Sequence, residues 1–192
     1  AEAVRALAHA AQEQGCWLRV VAGDEDVAAV AVALARADEI LTADPAYQDE
    51  LRRWTSRSAH DTDGVPVDAA AAPPPAQRAS PYRLRDFGTA PEEVGRRLPP
   101  EAPPTAEHPL VVVLGTADDD ARAWLTAGLG LGRVLLTATA RGLAASPMTQ
   151  ALEVPGTRHR LTSALGLVGH PQVVLRVGFP LPGDAPAPPR RR

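Results

Sequence analysis

The sequence is poor in the residues that carry most metal and nucleophile chemistry. Its 192 residues include one cysteine, one methionine, two tyrosines and two phenylalanines, and aromatic residues make up 4% of the chain. One cysteine cannot form an internal disulfide, which favours a reducing, cytoplasmic location. We expect Cys16 to be a buried apolar side chain rather than a reactive thiol. The five histidines are scattered without ligand spacing, so no metal site is expected.

Strong charge and long apolar runs are also lacking. The formal net charge is −3, so no broad basic field attracts nucleic acid. No segment reaches the roughly 18 consecutive apolar residues that a membrane span needs, and no signal-peptide pattern is seen. No serine lies in a nucleophile-elbow pattern. Nucleic acid and membrane partners are therefore not expected, and hydrolase chemistry is disfavoured.

The residues that are present predict one α+β domain organised around its C-terminal half. An apolar strand at Leu110–Ala117 leads into a long helix from Asp118 to about Ala144, and a second apolar strand lies near 171–179. We assign 109–180 to the core of the domain. Residues 1–55 alternate helical and β-branched patterns, which predicts an outer part with the order helix, strand, helix, helix.

The long helix has two features of its own. It begins with three acidic residues, which suits the positive end of a helix dipole. Gly128, Gly130 and Gly132 allow close approach, either by another backbone or by a flat ligand. Both alternatives stay open from the sequence. The residues that share one predicted apolar stripe are Trp124, Ala127, Leu131, Leu135 and Ala138.

Residues 56–108 have no sustained hydrophobic period. More than half of the chain's 20 prolines lie between Pro66 and Pro109. One interpretation is a lid or wrapping arm, held by apolar anchors. The other is a flexible Pro-rich linker. Residues 181–192 form a Pro/Arg tail. The proposed anchors of the arm are Val65, Tyr82, Leu84 and Phe87.

A set of short motifs resembles the flavin-dependent nitroreductase superfamily, and more narrowly the C-terminal half of the Acg-type nitroreductase-like proteins of actinobacteria. The resemblance covers nearly the whole chain and is specific from about residue 134 to residue 191. The looser motifs are LRRWT at 51–55, DGVP at 63–66 and RDF at 85–87. The specific motifs are LTAT at 136–139, GLA at 142–144, Ser146-Pro147, Gln150, EVP at 153–155, Arg158, PQVVLRVG at 171–178 and Pro189-Arg190-Arg191.

The resemblance implies an α+β fold with a central antiparallel-rich sheet wrapped by helices. In the superfamily two such units bind FMN at their interface. The resemblance therefore implies a partner, which is either the N-terminal half of the same protein or a second subunit. The chain has no initiator Met and begins within a helical pattern. We expect it to be the C-terminal portion of a longer protein.

The resemblance also implies which residues hold the cofactor. The segment after the long helix passes the edge of the flavin ring and offers it backbone groups, and here that segment is Pro147, Met148, Thr149 and Gln150. Thr149 and Gln150 stand where the usual pattern has an acidic residue and a glycine. A C-terminal basic residue holds the FMN phosphate, and Arg190 or Arg191 matches this position. No catalytic side chain is identified.

The function implied is that of an oxidoreductase. Hydride would pass from NAD(P)H to FMN and then to a nitroaromatic or quinone-like acceptor. One alternative is a non-catalytic protein that sequesters or stores flavin, with 56–108 closing the pocket against substrates. The other is a structural domain without a ligand. The sequence leaves open the acceptor and the choice between NADH and NADPH.

Overall fold

The computed structural model describes residues 2–55, 63–64, 80–82 and 109–180. These ranges hold six helices and four strands. The helices are α1 (Glu2–Gln12), α2 (Gly23–Thr42), α3 (Pro45–Thr55), α4 (Ala121–Ala140), α5 (Gln150–Glu153) and α6 (Pro155–Ala164). The strands are β1 (Trp17–Val21), β2 (Leu110–Thr116), β3 (Ala144–Pro147) and β4 (His170–Gly178).

The four strands form one antiparallel sheet in the order β1-β2-β4-β3. In β1 and β2, Trp17 pairs with Gly115 and Val21 pairs with Val111. The predicted strands at both ends of the core region are confirmed, with bounds that differ by at most one residue. The predicted α+β class with an antiparallel sheet wrapped by helices is likewise confirmed.

Helices cover both faces of this sheet, so the central strand β2 is buried on its two sides. Val112 and Leu114 face α1 and α4, whereas Val111 and Val113 face α2, α5 and α6. Burial on both faces explains why β2 is a continuous apolar run instead of an alternating one. The other buried side chains of the α1/α4 face include Leu7, Ala10, Ala11, Cys16, Ala127, Val134 and Ala138. Those of the opposite face include Val30, Leu34, Tyr82, Met148, Ala151 and Leu161.

Tyr82 is the one proposed anchor of the 56–108 segment that lies within the described residues. Its side chain is buried in the α2/α5/α6 core. Burial also raises the pKa of its hydroxyl. The anchors Val65, Leu84 and Phe87 lie outside the described residues, as does the 181–192 tail. The choice between an arm and a linker therefore stays a prediction, as do the domain boundaries.

Aspartate caps begin two of the helices. Asp44 accepts hydrogen bonds from the backbone N–H groups of Ala46 and Tyr47 at the start of α3. Asp120 accepts one from Ala123 N–H at 2.8 Å and begins α4. These oxygens satisfy donors that have no partner inside the helix. Helix α2 differs, because its cap position is Ala22, whose side chain makes no capping bond.

The buried face of α4 differs from the predicted stripe. Trp124 is 57% exposed, so it does not belong to the core. The predicted stripe is confirmed at Ala127 and Ala138, which are buried, and is wrong at Trp124. Small residues carry most of the buried face, so large side chains alone do not identify it. The helix also ends earlier than expected, at Ala140, before Gly142 with φ of 68°. The residues that do face the sheet are Ala123, Ala127, Gly130, Val134 and Ala138.

Of the three glycines in α4, Gly130 makes the close approach. A Cβ atom built on Gly130 would lie 2.6 Å from Cys16 Sγ. Cys16 is buried as expected, and its thiol lies 3.4 Å from Thr126 O. Among the described residues, no atom lies within 4 Å of a Cβ built on Gly128 or Gly132. Those two glycines therefore face outward.

A β-bulge interrupts the pairing of β2 with β4. The register steps from Leu114 opposite Val173 to Gly115 opposite Pro171, which leaves Gln172 as the extra residue. A bulge re-aims the side chain of the extra residue. Here the Gln172 amide donates to Thr116 Oγ1 and to Asp119 Oδ1, each at 3.1 Å.

Candidate functional site

The segment predicted to contact flavin lies where the sheet ends and the small helices begin. Pro147 is the last residue of β3 and is exposed. Met148 is buried, and its N–H donates to Val174 O at 2.8 Å. Thr149 is half-buried, with its hydroxyl 3.1 Å from Glu153 Oε1. The side chain of Gln150 is buried as well. The four residues thus alternate between exposed and buried environments.

Buried contacts fix the backbone on the C-terminal side of this segment. Ala151 is fully buried and packs with Met148 in the α2/α5/α6 core. Thr157 is buried too, and its hydroxyl donates to Ala151 O at 2.7 Å. This bond joins α5 to α6 across the turn at Val154. The segment is therefore held in one conformation before any ligand arrives, which reduces the cost of ordering it.

The outer edge of β3 carries backbone groups that no described strand covers. Within the described chain, β3 pairs only with β4. Because Met148 N–H bonds to β4, the antiparallel alternation assigns positions 146 and 144 to the same ladder. The N–H and C=O of Ala145 and the C=O of Pro147 then point away from β4. This edge offers one donor, followed along the strand by two acceptors, beside an exposed proline ring.

The predicted phosphate ligands, Arg190 and Arg191, lie outside the described residues. The structure therefore does not relate them to Pro147–Gln150. Their role stays a prediction.

A polar cluster that the sequence did not predict lies at the other end of β4. Arg158 on α6 donates two hydrogen bonds to the Asp119 carboxylate, at 2.9 and 3.1 Å. It also donates twice to Pro171 O. Asp119 further accepts from Trp124 Nε1 at 2.8 Å and from Gln172. The cluster thus ties together the start of α4, the middle of α6 and the start of β4.

The donors around Asp119 keep it ionised. The indole N–H of Trp124, the guanidinium of Arg158 and the amide of Gln172 hold the pKa of that carboxyl well below its usual range. Every hydrogen bond that Arg158 donates in the cluster is accepted by Asp119 or by Pro171 O. We therefore assign the cluster a structural role. Arg158 is one of the residues that carry the family resemblance. Its structural role could not be predicted from the local sequence, because its partner Asp119 lies 39 residues away.

A shallow groove lies on the outer side of α4 near its C-terminal end. Its volume is about 610 Å³. Arg133 forms an ion pair with Glu13, which directly follows α1, and Arg141 forms one with Glu2 at the start of α1, so both cations are paired with acidic groups. The groove is lined by Arg133, Leu136, Thr137, Ala140 and Arg141.

Comparisons with known proteins identify relatives over almost the whole chain. The model of the nitroreductase family matches residues 2–179. A putative NAD(P)H nitroreductase of Mycobacterium tuberculosis, Rv3131, is 36% identical over 188 residues, which is 97% of this chain. The uncharacterized protein Rv3127 of that organism is 32% identical over 97% of the chain. Its putative NAD(P)H nitroreductase acg is 31% identical over 77%.

The chain spans about half the length of the curated relatives it matches. The matched region is 51% of Rv3131, 52% of Rv3127 and 43% of acg. The resemblance to Acg-type proteins expected from the short motifs is thus confirmed.

Proposed function

The chain belongs to the nitroreductase family, and from this premise we propose that it is part of an FMN-dependent oxidoreductase. The proposed reaction takes hydride from NAD(P)H through FMN to a nitroaromatic or quinone-like acceptor. The family match over residues 2–179 is the observation that carries the proposal. Two of the relatives are named putative NAD(P)H nitroreductases, which agrees with it. A cytoplasmic location is part of the proposal.

The exposed edge of β3 supports the choice of a flat, heteroaromatic cofactor. The ring edge of a flavin carries alternating carbonyl and N–H groups. The outward N–H of Ala145 can donate to a ring carbonyl, and the outward C=O groups of Ala145 and Pro147 can accept from a ring N–H. The ring of Pro147 is exposed beside them and offers an apolar contact. These residues fit the group in chemical type.

In this proposal the flavin supplies the hydride-accepting and hydride-donating ring. The protein's own part is to bind and orient it. Pro147, Met148, Thr149 and Gln150 contribute mainly backbone groups, since the side chains of Met148 and Gln150 are buried. Fixed backbone donors are effective because they need no reorganisation when charge develops on a bound ring. Arg190 or Arg191 would bind the phosphate through charge-assisted hydrogen bonds.

A companion unit is part of the proposal, because the chain spans about half of its curated relatives. Either the N-terminal half of the same protein or a second subunit would complete the cofactor site. A partial site binds more weakly than its share of contacts suggests, because the cost of ordering the ligand is not reduced in proportion. We therefore expect weak FMN binding by residues 1–192 alone.

The test is a titration of FMN fluorescence against the chain and against a version extended to the relatives' length. Weak quenching by the first and tight quenching by the second are expected. Replacing Arg190 and Arg191 with alanine should weaken the tight binding, whereas Arg192→Ala is the matched control. Oxidation of NADH and NADPH is then followed with a nitroaromatic and a quinone acceptor. Tight stoichiometric binding by the monomeric chain would contradict the half-site, and absence of flavin binding by either version would contradict the function.

Flavin storage is a second candidate because of Gln150. The resemblance places a glycine at this position in the usual nitroreductase pattern, and here a buried glutamine side chain occupies it. A change beside the ring could leave binding intact and turnover low. A yellow protein that fails to oxidise NAD(P)H with either acceptor would favour storage. Gln150→Gly in that protein should then increase the rate of NAD(P)H oxidation.

A further inference from the structure

The two outer edges of the sheet differ in what lies over them. At β3, no described strand covers the outer edge. At β1, which pairs only with β2 among the described strands, two side chains of the chain itself bond to the outer edge. They belong to Arg19, in the middle of β1, and to Asp26, in the first turn of α2. An open strand edge is a template for pairing with another chain, so these side chains bear on how the protein assembles.

The direction of each backbone group in β1 follows from the start of β4. Pro171 has no N–H, and its carbonyl oxygen accepts hydrogen bonds from a side chain of α6, so Pro171 takes no part in the ladder with β2. Gly115, opposite Pro171, therefore directs its backbone groups to β1 and bonds with Trp17. Bonded and non-bonded pairs alternate in an antiparallel ladder, so the N–H and C=O groups of Leu18 and Val20 point away from β2.

Arg19 and Asp26 bind backbone groups along this outer edge. Nε of Arg19 donates to Val20 O at 3.3 Å, and Nη2 donates to Asp26 Oδ2 at 3.1 Å. The same Asp26 oxygen accepts from Ala22 N–H, directly after the strand, at 3.4 Å. The Asp26 side chain is 18% exposed, so it is held against the protein. Of the two outward residues of β1, Leu18 is then the one with neither backbone group bonded to this pair.

We propose that Arg19 and Asp26 keep the outer edge of β1 closed to an added strand, so that two copies of the chain do not join their sheets edge to edge. An added antiparallel strand exchanges bonds with both the N–H and the C=O of each outward residue. Because the Val20 carbonyl is bound by Arg19, only Leu18 keeps both groups for such an exchange, which is too little for a stable ladder. The inference does not depend on the proposed function.

Charge also opposes the register of edge pairing that would use the most backbone groups. In an antiparallel pair of two copies, that register bonds Leu18 of each copy to Val20 of the other. It also places the two copies of Arg19 directly opposite each other, in a non-bonded pair where side chains approach most closely. Like charges in this position are destabilising. The guanidinium therefore opposes edge pairing by its hydrogen bond and by its charge.

The first experiment measures amide hydrogen exchange in the parent chain by NMR. The amides of Leu18 and Val20 should exchange within about tenfold of the rate of an unstructured chain, because they point away from β2. The amides of Arg19 and Val21 point to β2 and should exchange at least about a hundredfold more slowly. Slow exchange at Leu18 and Val20 would mean that another segment or copy covers the edge, and it would overturn the proposal.

The second experiment compares Arg19→Ala and Asp26→Ala with the parent by sedimentation velocity at equal concentrations, and the mass of the parent sets the baseline. Arg19→Ala removes the hydrogen bond and the charge, so we expect species of twice the parent mass in which the Leu18 and Val20 amides become protected. Asp26→Ala removes the side chain that holds Arg19, and a smaller share of such species is expected. Circular dichroism should be unchanged in both variants, since the replaced side chains lie outside the two core clusters.

Arg36→Ala is the matched control, because Arg36 is an exposed arginine that pairs with Glu39 within α2. Its mass should equal that of the parent. The parent mass in Arg19→Ala or in Asp26→Ala would overturn the proposal, as would larger species in which the Leu18 and Val20 amides still exchange fast. An equal rise in Arg36→Ala would also overturn it, since the cause would then be a general loss of positive charge. The exchange pattern of the parent is decisive even where a variant does not fold.

Discussion

Arg158 donates a hydrogen bond to the Asp119 carboxylate from each terminal nitrogen of its guanidinium, at 2.9 and 3.1 Å. The two residues are 39 positions apart in the sequence. The pair joins the turn between β2 and α4, which holds Asp119, to α6, the helix that precedes β4. Both side chains are 27% exposed, so this is a partly buried, bidentate pair rather than a surface contact. Such geometry stabilises more than an exposed pair with a single bond.

Removing the guanidinium should destabilise the fold measurably. Arg158→Ala removes the hydrogen bonds that Arg158 donates to Asp119 and to Pro171 O, although Trp124 and Gln172 still donate to Asp119. We expect a loss of about 1–3 kcal/mol in the free energy of unfolding. Urea titration followed by circular dichroism measures it. Arg160→Ala, two residues on and exposed, is the control and should change the free energy by less than about 0.5 kcal/mol. Equal losses in the two variants would contradict the assignment.

Stability should fall on acidification through Asp119. The pKa of this carboxyl is lowered in the fold, chiefly by the Trp124 indole and by Arg158. Its contribution is therefore complete above the ordinary aspartate pKa of about 3.9 and is lost as the pH falls through the folded value. Asp119→Asn should remove this dependence, so its stability should approach that of the parent as the pH drops.

The measurement is the urea midpoint at a series of pH values from neutral to acid. Asp118→Asn is the control, since this neighbour is exposed and makes no described contact to Arg158. If the parent and Asp119→Asn lose stability in parallel below pH 4, another group is responsible.

Gly130 should not tolerate a methyl group. A Cβ there would lie 2.6 Å from Cys16 Sγ and 3.2 Å from Cys16 Cβ. We expect Gly130→Ala to cost about 1–3 kcal/mol through overpacking, in spite of the better helix propensity of alanine. Gly156→Ala in α6 is the control, because no described atom lies within 4 Å of its Cβ. Thermal unfolding compares the two, and adding Cys16→Ala to Gly130→Ala should restore part of the loss.

Gly115 should be still less replaceable, because Trp17 lies directly against it. A Cβ on Gly115 would be 2.1 Å from the Trp17 ring and 2.5 Å from the backbone oxygen of His170. The ring is itself held by its N–H, which donates to Thr116 O at 3.1 Å. Gly115→Ala should cost more than about 3 kcal/mol or prevent folding.

Gly178→Ala is the matched strand control for Gly115→Ala. No described atom lies within 4 Å of a Cβ at Gly178. Soluble yield and the thermal midpoint of both variants are compared with those of the parent. A Gly115→Ala protein as stable as Gly178→Ala would show that Trp17 moves aside without cost.

The parts of the fold that were predicted correctly are those with long local patterns. β2 and α4 were found because an apolar run and an acidic helix start lie next to each other in the sequence. β3 was missed because its four residues, AASP, are short and have no β-branched member. Its strand conformation comes from pairing with β4, a tertiary effect that local propensity does not contain.

The site was predictable only in part, for a similar reason. The position of Pro147–Gln150 followed from the resemblance, but which of its side chains are buried depends on the packing of α5 and α6. The Asp119 cluster depends on the β-bulge that orients Gln172. It also depends on α6, which places Arg158 beside a residue 39 positions earlier in the sequence. The predicted apolar stripe of α4 placed Trp124 in the core although it is 57% exposed, since size and hydrophobicity were taken to mean burial within one chain.

The pairing of β1 with β2 joins positions that are far apart in the chain. Val21 lies opposite Val111, about 90 residues later. Closure entropy grows only with the logarithm of loop length, so doubling this connection would cost about 0.6 kcal/mol. The rate of folding is more sensitive to the length of the connection, because the entropy of loop closure is lost before the distant contacts contribute stabilisation. We therefore expect insertions between α3 and β2 to slow the pairing of β1 with β2 during folding, while the folding equilibrium stays nearly unchanged.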